Sequence, residues 1–175
     1  NRNRHILFRR VFDLTALPQN AVLYITADDY YKLYINGTFV TQGPAPAYHF
    51  AYGYNTVDVT PYLREGRNTI AVHTLYQGLI NRVWVSADQR HGLLCDLECD
   101  GVTVLSSDSS FLTRPHTGYT ETGTVGYATQ FLETYDSRAA EVGFEQPDFD
   151  DSAWVPAIFA DAPAGELRLC PAPPI

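Results

Sequence analysis

Apolar and polar residues alternate with period two through many short stretches of this chain. Leu93-Leu94-Cys95-Asp96-Leu97-Glu98-Cys99 is the clearest case. On a strand, Leu93, Cys95, Leu97 and Cys99 share one face, and Asp96 and Glu98 take the other. Residues 6–14, 21–27, 30–35, 69–75 and 102–105 are rich in β-branched and aromatic residues and read as further strands, and 131–135 is a short apolar-alternating run. Val83-Trp84-Val85 reads as one more. Asn36-Gly37 supplies the two positive-φ positions of a type I′ turn between strand 30–35 and the returning Phe39-Val40. Thr60 is placed to cap a single helical turn, with Pro61 at its first position and Gly66 past its end. Residues 137–142 suit another helical turn, and 148–154 a capped turn leading into a strand. Gly43, Pro44, Pro46 and Gly53 argue for a long loop over 42–55, with a short strand near Tyr54. Residues 106–126 are Ser-, Thr- and Gly-rich and take no assignment from pattern.

No segment sustains a 3.6-residue apolar period over a dozen residues. Many short strands with Gly, Pro and Asn punctuation imply an all-β protein, a jelly-roll β-sandwich with short helical turns. The 175 residues suit one domain with a real core. Residues 1–162 are expected to form the sandwich. Residues 163–175, which hold four prolines, are expected to form an extended exit toward a following domain. The start at Asn1, with no Met anywhere, reads as an excised domain or processed fragment.

A net charge of −8 repels phosphate backbones and argues against nucleic acid as a partner. No apolar run approaches the ~20 residues of a membrane-spanning helix, so no membrane partner is expected. Cys95 and Cys99 lie ~13 Å apart along a strand, too far for a mutual disulfide, and read as buried apolar thiols.

The candidate chemistry is sparse. Asp28-Asp29 interrupts the second strand; it is a candidate calcium pair, since calcium gathers ~6–8 oxygens, or simply a polar strand end. Asp150-Asp151-Ser152 reads as a cap that positions Trp154 in the core. Glu133 with Asp136, or Glu141 with Glu145, would be the carboxylate pairs for glycoside hydrolysis, but nothing around them frames a cleft or raises a carboxyl pKa. No G-x-S-x-G elbow is present, and His49, His73, His91 and His116 are scattered; His73 reads as the polar-face member of a strand. Tyr48, His49, Phe50, Tyr52 and Tyr54 form the densest aromatic cluster. Such rings stack on the C–H faces of sugars, so Tyr48, His49, Tyr52 and Tyr54, joined by Trp84, are the candidate carbohydrate-binding residues; packing against a neighbouring domain is the plainer alternative.

Taken in order, Tyr31-Lys32-Leu33-Tyr34-Ile35-Asn36-Gly37, Gly43-Pro44, Asp58-Val59-Thr60-Pro61-Tyr62-Leu63 and Gly66-Arg67-Asn68 resemble the N-terminal β-sandwich region of bacterial α-L-rhamnosidases. Gln130–Arg138, Phe149–Ala157 and the proline-rich end resemble the second half of that region. β-Galactosidase and β-glucuronidase sandwich domains carry similar single motifs, which leaves a β-galactosidase-like parent as an alternative. The resemblance implies a galactose-binding-like jelly roll attached to a glycoside hydrolase whose hydrolytic carboxylates sit in a separate (α/α) barrel. It therefore implies a non-catalytic role for this chain, with the other domains of the parent enzyme as partners. Related domains of the family bind L-rhamnose with a calcium ion, so calcium and L-rhamnose-containing glycans are the ligands the resemblance implies.

Overall fold

The computed structural model describes residues 2–48, 50–81, 83, 90–161 and 165–175. Within them the chain forms strands β1 (Arg4–Leu14), β2 (Ala21–Ala27), β3 (Tyr30–Ile35), β4 (Thr38–Gly43), β5 (Ala51–Asp58), β6 (Gly66–Tyr76), β7 (Leu93–Cys99), β8 (Val102–Ser106), β9 (Leu112–Pro115), β10 (Tyr119–Val125), β11 (Gln130–Tyr135), β12 (Val155–Pro156) and β13 (Glu166–Leu169). The described helical content is two 3₁₀ turns, Thr60–Tyr62 and Ser137–Ala139. A six-stranded sheet in the order β12-β9-β1-β6-β3-β4 faces a five-stranded sheet in the order β13-β5-β2-β7-β8, and β10 and β11 form a separate hairpin. This is the expected all-β sandwich. Val83 stands outside the strands; Trp84 and Val85 of the strand expected there lie outside the described residues.

The main core lies between the two sheets. Leu23 and Ile25 of β2, Val57 of β5, and Cys95 and Leu97 of β7 meet Tyr31, Leu33 and Ile35 of β3 and Ile70 and Val72 of β6. The period-two reading of β7 holds: Cys95, Leu97 and Cys99 are buried, and both thiols are free. Burial pushes the Cys95 thiol pKa well up, which keeps it neutral and inert.

Strand β6 is buried without interruption from Asn68 to Thr74. The cause is topological. It is flanked by β1 and β3, and both faces of its sheet are covered. Beyond the outer face lies a second, smaller core of Leu7, Ala71, Phe144 and Trp154, with Tyr34, Leu112 and Phe149 packed against it. Arg9 stands within this layer, fully buried. Its guanidinium donates to Asp151 Oδ2 at 2.7 Å and to the carbonyls of Phe144, Pro147 and Phe149 at 3.3–3.4 Å. Asp150 Oδ1 accepts from Ser152 N–H, and Trp154 N–H donates to Asp151 O. The Asp-Asp-Ser turn thus caps as expected, and it also supplies the counter-ion of a buried arginine.

Several local expectations change. The loop expected over 42–55 shrinks to 44–50, because β4 runs through Gly43 and β5 begins at Ala51. Gly43 pairs with Tyr31 within the sheet, and it must be glycine there because an added Cβ would collide with Asn55 Oδ1 and press on Tyr31 Oη. Tyr52 and Tyr54 are therefore strand residues. Thr60 is not the N-cap. The cap position is Val59, without a side-chain hydrogen bond, since Thr60 Oγ1 is taken by Ala21 N–H at 2.8 Å. Asn36 and Gly37 do have φ of 50° and 84°, as a type I′ turn requires. Asn36 also donates to Tyr62 O and Asn68 Oδ1 and accepts from Thr69 N–H, tying hairpin, 3₁₀ turn and β6 together.

The proline-rich end is extended, and it is laid on the sandwich. Strand β13 pairs in parallel with Ala51–Tyr54 of β5, and Ile175 exchanges backbone hydrogen bonds with Gln42 of β4. One tail thereby covers an edge of each sheet, removing unpaired backbone groups that would otherwise invite further strands.

Candidate functional site

The aromatic residues singled out by sequence fall on the outer face of the five-stranded sheet and the loop beside it. Tyr48 and Phe50 are each 60% exposed, and their rings stack at 5.1 Å with an interplanar angle of 8°. Tyr48 also forms an isolated bridge with Ala51 that closes the loop. Period-two alternation in β5 turns Tyr52 and Tyr54 outward, and Asn55 and Val57 are buried as inward members. Tyr54 approaches Tyr24 of β2 at 6.4 Å. Tyr24, Thr26, Tyr54, Leu94, Asp96 and Leu167 line an open depression of about 380 Å³. The structure therefore brings Tyr54 to a concave surface and leaves Tyr48 on a flat aromatic step. His49 and Trp84 lie outside the described residues.

Asp28 and Asp29, the candidate calcium pair, are buried at the end of β2. Asp29 Oδ2 accepts from Gln77 N–H at 2.6 Å, and Asp29 N–H donates to Leu75 O at 2.9 Å. Gln77 Oε1 in turn accepts from Phe131 N–H at 3.3 Å, which links this pair to strand β11. Among the described residues no group of three or more His, Cys, Asp or Glu converges to hold a metal ion. Two buried carboxylates, one of them accepting a backbone N–H, supply part of the ~6–8 oxygens that calcium gathers.

One carboxylate of each pair considered for hydrolysis is engaged by an arginine. Asp136 receives Arg138 through two oxygens at 2.9 and 2.7 Å, and Glu141 pairs with Arg114 at 2.7 Å. The pair to Arg138 holds the Asp136 carboxyl below its usual range. A general acid needs the opposite shift.

One cluster was not expected. His5 of β1 and His73 of β6 are diagonal neighbours on the outer face of the six-stranded sheet, since Leu7 opposes His73 and Leu75 opposes His5. His5 Nδ1 lies 2.9 Å from His73 Nε2, so one ring donates and the other accepts. Tyr119 stacks flat on His5 at 3.9 Å. His116 meets His73 edge-on at 4.9 Å, and Tyr135 closes against both His116 and Tyr119. Burial, with His116, His91 and Lys32 nearby, lowers the His5 pKa from 6.5 to about 4. Burial lowers His73 further. His73 is on the polar face as expected, yet buried. The signal in sequence was period two alone, which gives the face and says nothing of the covering hairpin.

Two packed sheets, one edge of each covered by the tail, and an exposed aromatic face define a β-sandwich domain. Residues 16–175 match the α-L-rhamnosidase N-terminal domain family, and the chain belongs to that family. An α-L-rhamnosidase of Formosa agariphila is 30% identical over 162 residues, covering 83% of this chain and 17% of that protein. The crystal structure of a GH78 family rhamnosidase of Bacillus sp. GL1 superposes with a TM-score of 0.84 at 33% identity, over 95% of this chain and 18% of the other. The Streptomyces avermitilis α-L-rhamnosidase complexed with L-rhamnose gives a TM-score of 0.77 at 26% identity, over 94% and 17%. The chain thus spans about a sixth of these relatives. The relatives matched are α-L-rhamnosidases.

Proposed function

We propose that this chain is a non-catalytic accessory domain of an α-L-rhamnosidase-type glycoside hydrolase, serving to pack against the other domains of the same enzyme. The observation that carries the reading is the state of its carboxylates. One member of each candidate pair is held by an arginine, Asp136 by Arg138 and Glu141 by Arg114, and glycosidase chemistry needs two facing carboxyls in one cleft. The aromatic face of the five-stranded sheet is the surface offered to a neighbouring domain. The test is a rate measurement on the purified chain with an aryl α-L-rhamnoside. No turnover above background is expected; turnover abolished by a single carboxylate substitution would overturn the reading.

A second reading is carbohydrate binding, with calcium at Asp28 and Asp29 as its metal arm. It is supported by the exposed Tyr48–Phe50 stack and by the L-rhamnose complex of the Streptomyces avermitilis relative. Calorimetric titration with L-rhamnose and with galactose, each with and without calcium, tests it. Silence at concentrations on the order of tens of millimolar ends it. Binding lost in Tyr48→Ala points to the aromatic step, whereas calcium-dependent binding lost in Asp29→Asn points to the acidic pair.

A further inference from the structure

We propose that the His5–His73–His116 cluster is a proton-operated latch that holds the β10–β11 hairpin on the sandwich and lets it go in mild acid. The hairpin is a separate two-stranded sheet, so no ladder of hydrogen bonds joins it to the six-stranded sheet below. Among the described residues its attachment gathers at two ends, with a backbone bond from His116 N–H to His5 O at the first and Phe131 buried against Leu79 and Tyr30 at the second. At one end Tyr119 lies on His5, and Tyr135 lies on His116. At the other, Asn81 donates to the carbonyls of Ala128 and Thr129, and Phe131 N–H donates to Gln77. Loop 116–118 is pressed into the first end. A Cβ on Gly118 would stand 2.8 Å from the Tyr135 ring and 3.1 Å from His116 Cε1.

The latch needs at least one neutral ring in the His5–His73 pair. The 2.9 Å contact between His5 Nδ1 and His73 Nε2 needs one lone pair, and protonating both rings turns both nitrogens into donors. The surroundings oppose that charge. Lys32 of β3 acts on all three imidazoles, and His91 acts on His5 and His73. On β9, Arg114 is already neutralised by Glu141. The remaining titratable groups facing the cluster are the phenols of Tyr34, Tyr119 and Tyr135, with Glu133 beside Tyr119 and Glu145 beside Tyr34. Those two carboxylates act on phenols, whereas the charges that act on the imidazoles are those of the other histidines and Lys32. Burial in the docked state lowers the His5 pKa from 6.5 to about 4, so a state that exposes the ring binds more protons in between. Docking is in full force above about pH 6.5 and weakens as pH falls toward 4.

Because the hairpin reaches Gln77, and Gln77 N–H holds Asp29, release also frees the backbone beside the buried acidic pair. The experiment is hydrogen–deuterium exchange of the whole chain at pH 7 and pH 5, corrected for intrinsic exchange. Amides of 119–135 should lose protection by at least about tenfold, while β2 and β7 change less than about twofold, since each histidine adds up to a factor of ten per pH unit below its released value. His73→Gln keeps a polar partner without titrating and should flatten the response. Where that variant fails to fold, the more accessible His116→Gln serves, and should reduce it. Equal loosening of hairpin and sheets, no change at pH 5, or an undiminished response in the variant that folds would each overturn the latch.

Discussion

The two outer faces of this sandwich have been put to different uses. That of the six-stranded sheet is a second interior: Leu7, Ala71, Phe144 and Trp154 are buried there, Arg9 is clamped within it, and a histidine–tyrosine cluster lies under a hairpin. That of the five-stranded sheet carries Tyr24, Tyr54 and Leu94 around an open depression, with Tyr48 and Phe50 standing beside it. One face spends its apolar surface on folding. The other keeps apolar and aromatic surface in water, which is the mark of a surface meant to meet something else. Substitutions on the first should cost stability, and those on the second should cost contacts.

The largest effect is expected at Trp154. It is 6% exposed and seals the outer core against Phe149. Trp154→Ala should destabilise by ~3–5 kcal/mol in denaturant melts. Its indole N–H has no hydrogen-bond partner among the described residues, so Trp154→Phe loses volume without breaking a bond and should cost only about 1–2 kcal/mol. A Phe variant as damaging as the Ala variant would mean that the N–H is satisfied in solution.

Arg9→Met comes next, at about 2–3 kcal/mol. Removing one partner of a buried pair ordinarily costs ~3–5 kcal/mol. Asp151 is 27% exposed and can rehydrate, which lowers the figure, whereas the carbonyls of Phe144, Pro147 and Phe149 lose their donor. The double variant Arg9→Met, Asp151→Asn should recover part of the loss. If Arg9→Met alone melts as the parent does, segment 144–154 is not held by this clamp.

Gly118→Ala should cost about 1–2 kcal/mol by overpacking. The added methyl meets Ala140 Cβ at 3.0 Å as well as the Tyr135 ring, and the ring alone can swing aside. Exchange at 119–135 should rise while that of β6 stays put; the reverse would place the strain in the sheet.

These residues also mark where sequence ran out. Local pattern was enough for β2, β3 and β7, because period two and a turn with two positive-φ positions are written in neighbouring residues. Cys95, Leu97 and Cys99 went to the core accordingly. The clamp and the latch were not legible. Arg9 and Asp151 are 142 positions apart, and His5 and His73 are 68 apart. Each looks locally like a polar residue on an exposed face, and only the covering segments make it a buried one. The 42–55 loop erred for the opposite reason. Gly43 looks like a breaker, yet it is needed inside β4 to let Asn55 and Tyr31 close in. Of the candidate site residues, Tyr48, Tyr52 and Tyr54 were found by density of aromatic rings. Their placement on a strand and its neighbouring loop came only with the register of β5 against β2 and β13.

The smallest stability effect is expected at Tyr48. An exposed ring that stacks mainly on another exposed ring has little to lose on folding, so Tyr48→Ser should lie within about 0.5 kcal/mol of the parent in melts. Its effect on contact should be the reverse. In the full-length enzyme, domain packing through this face would make the Tyr48→Ser, Phe50→Ser double variant lower the temperature at which the domains separate, while the isolated chain melts unchanged. If the same double variant leaves the full-length enzyme untouched and abolishes sugar binding by the isolated chain, the face serves a ligand instead. Should Tyr48→Ser destabilise the isolated chain by more than about 1.5 kcal/mol, the division between a structural face and a contact face is wrong at its clearest position.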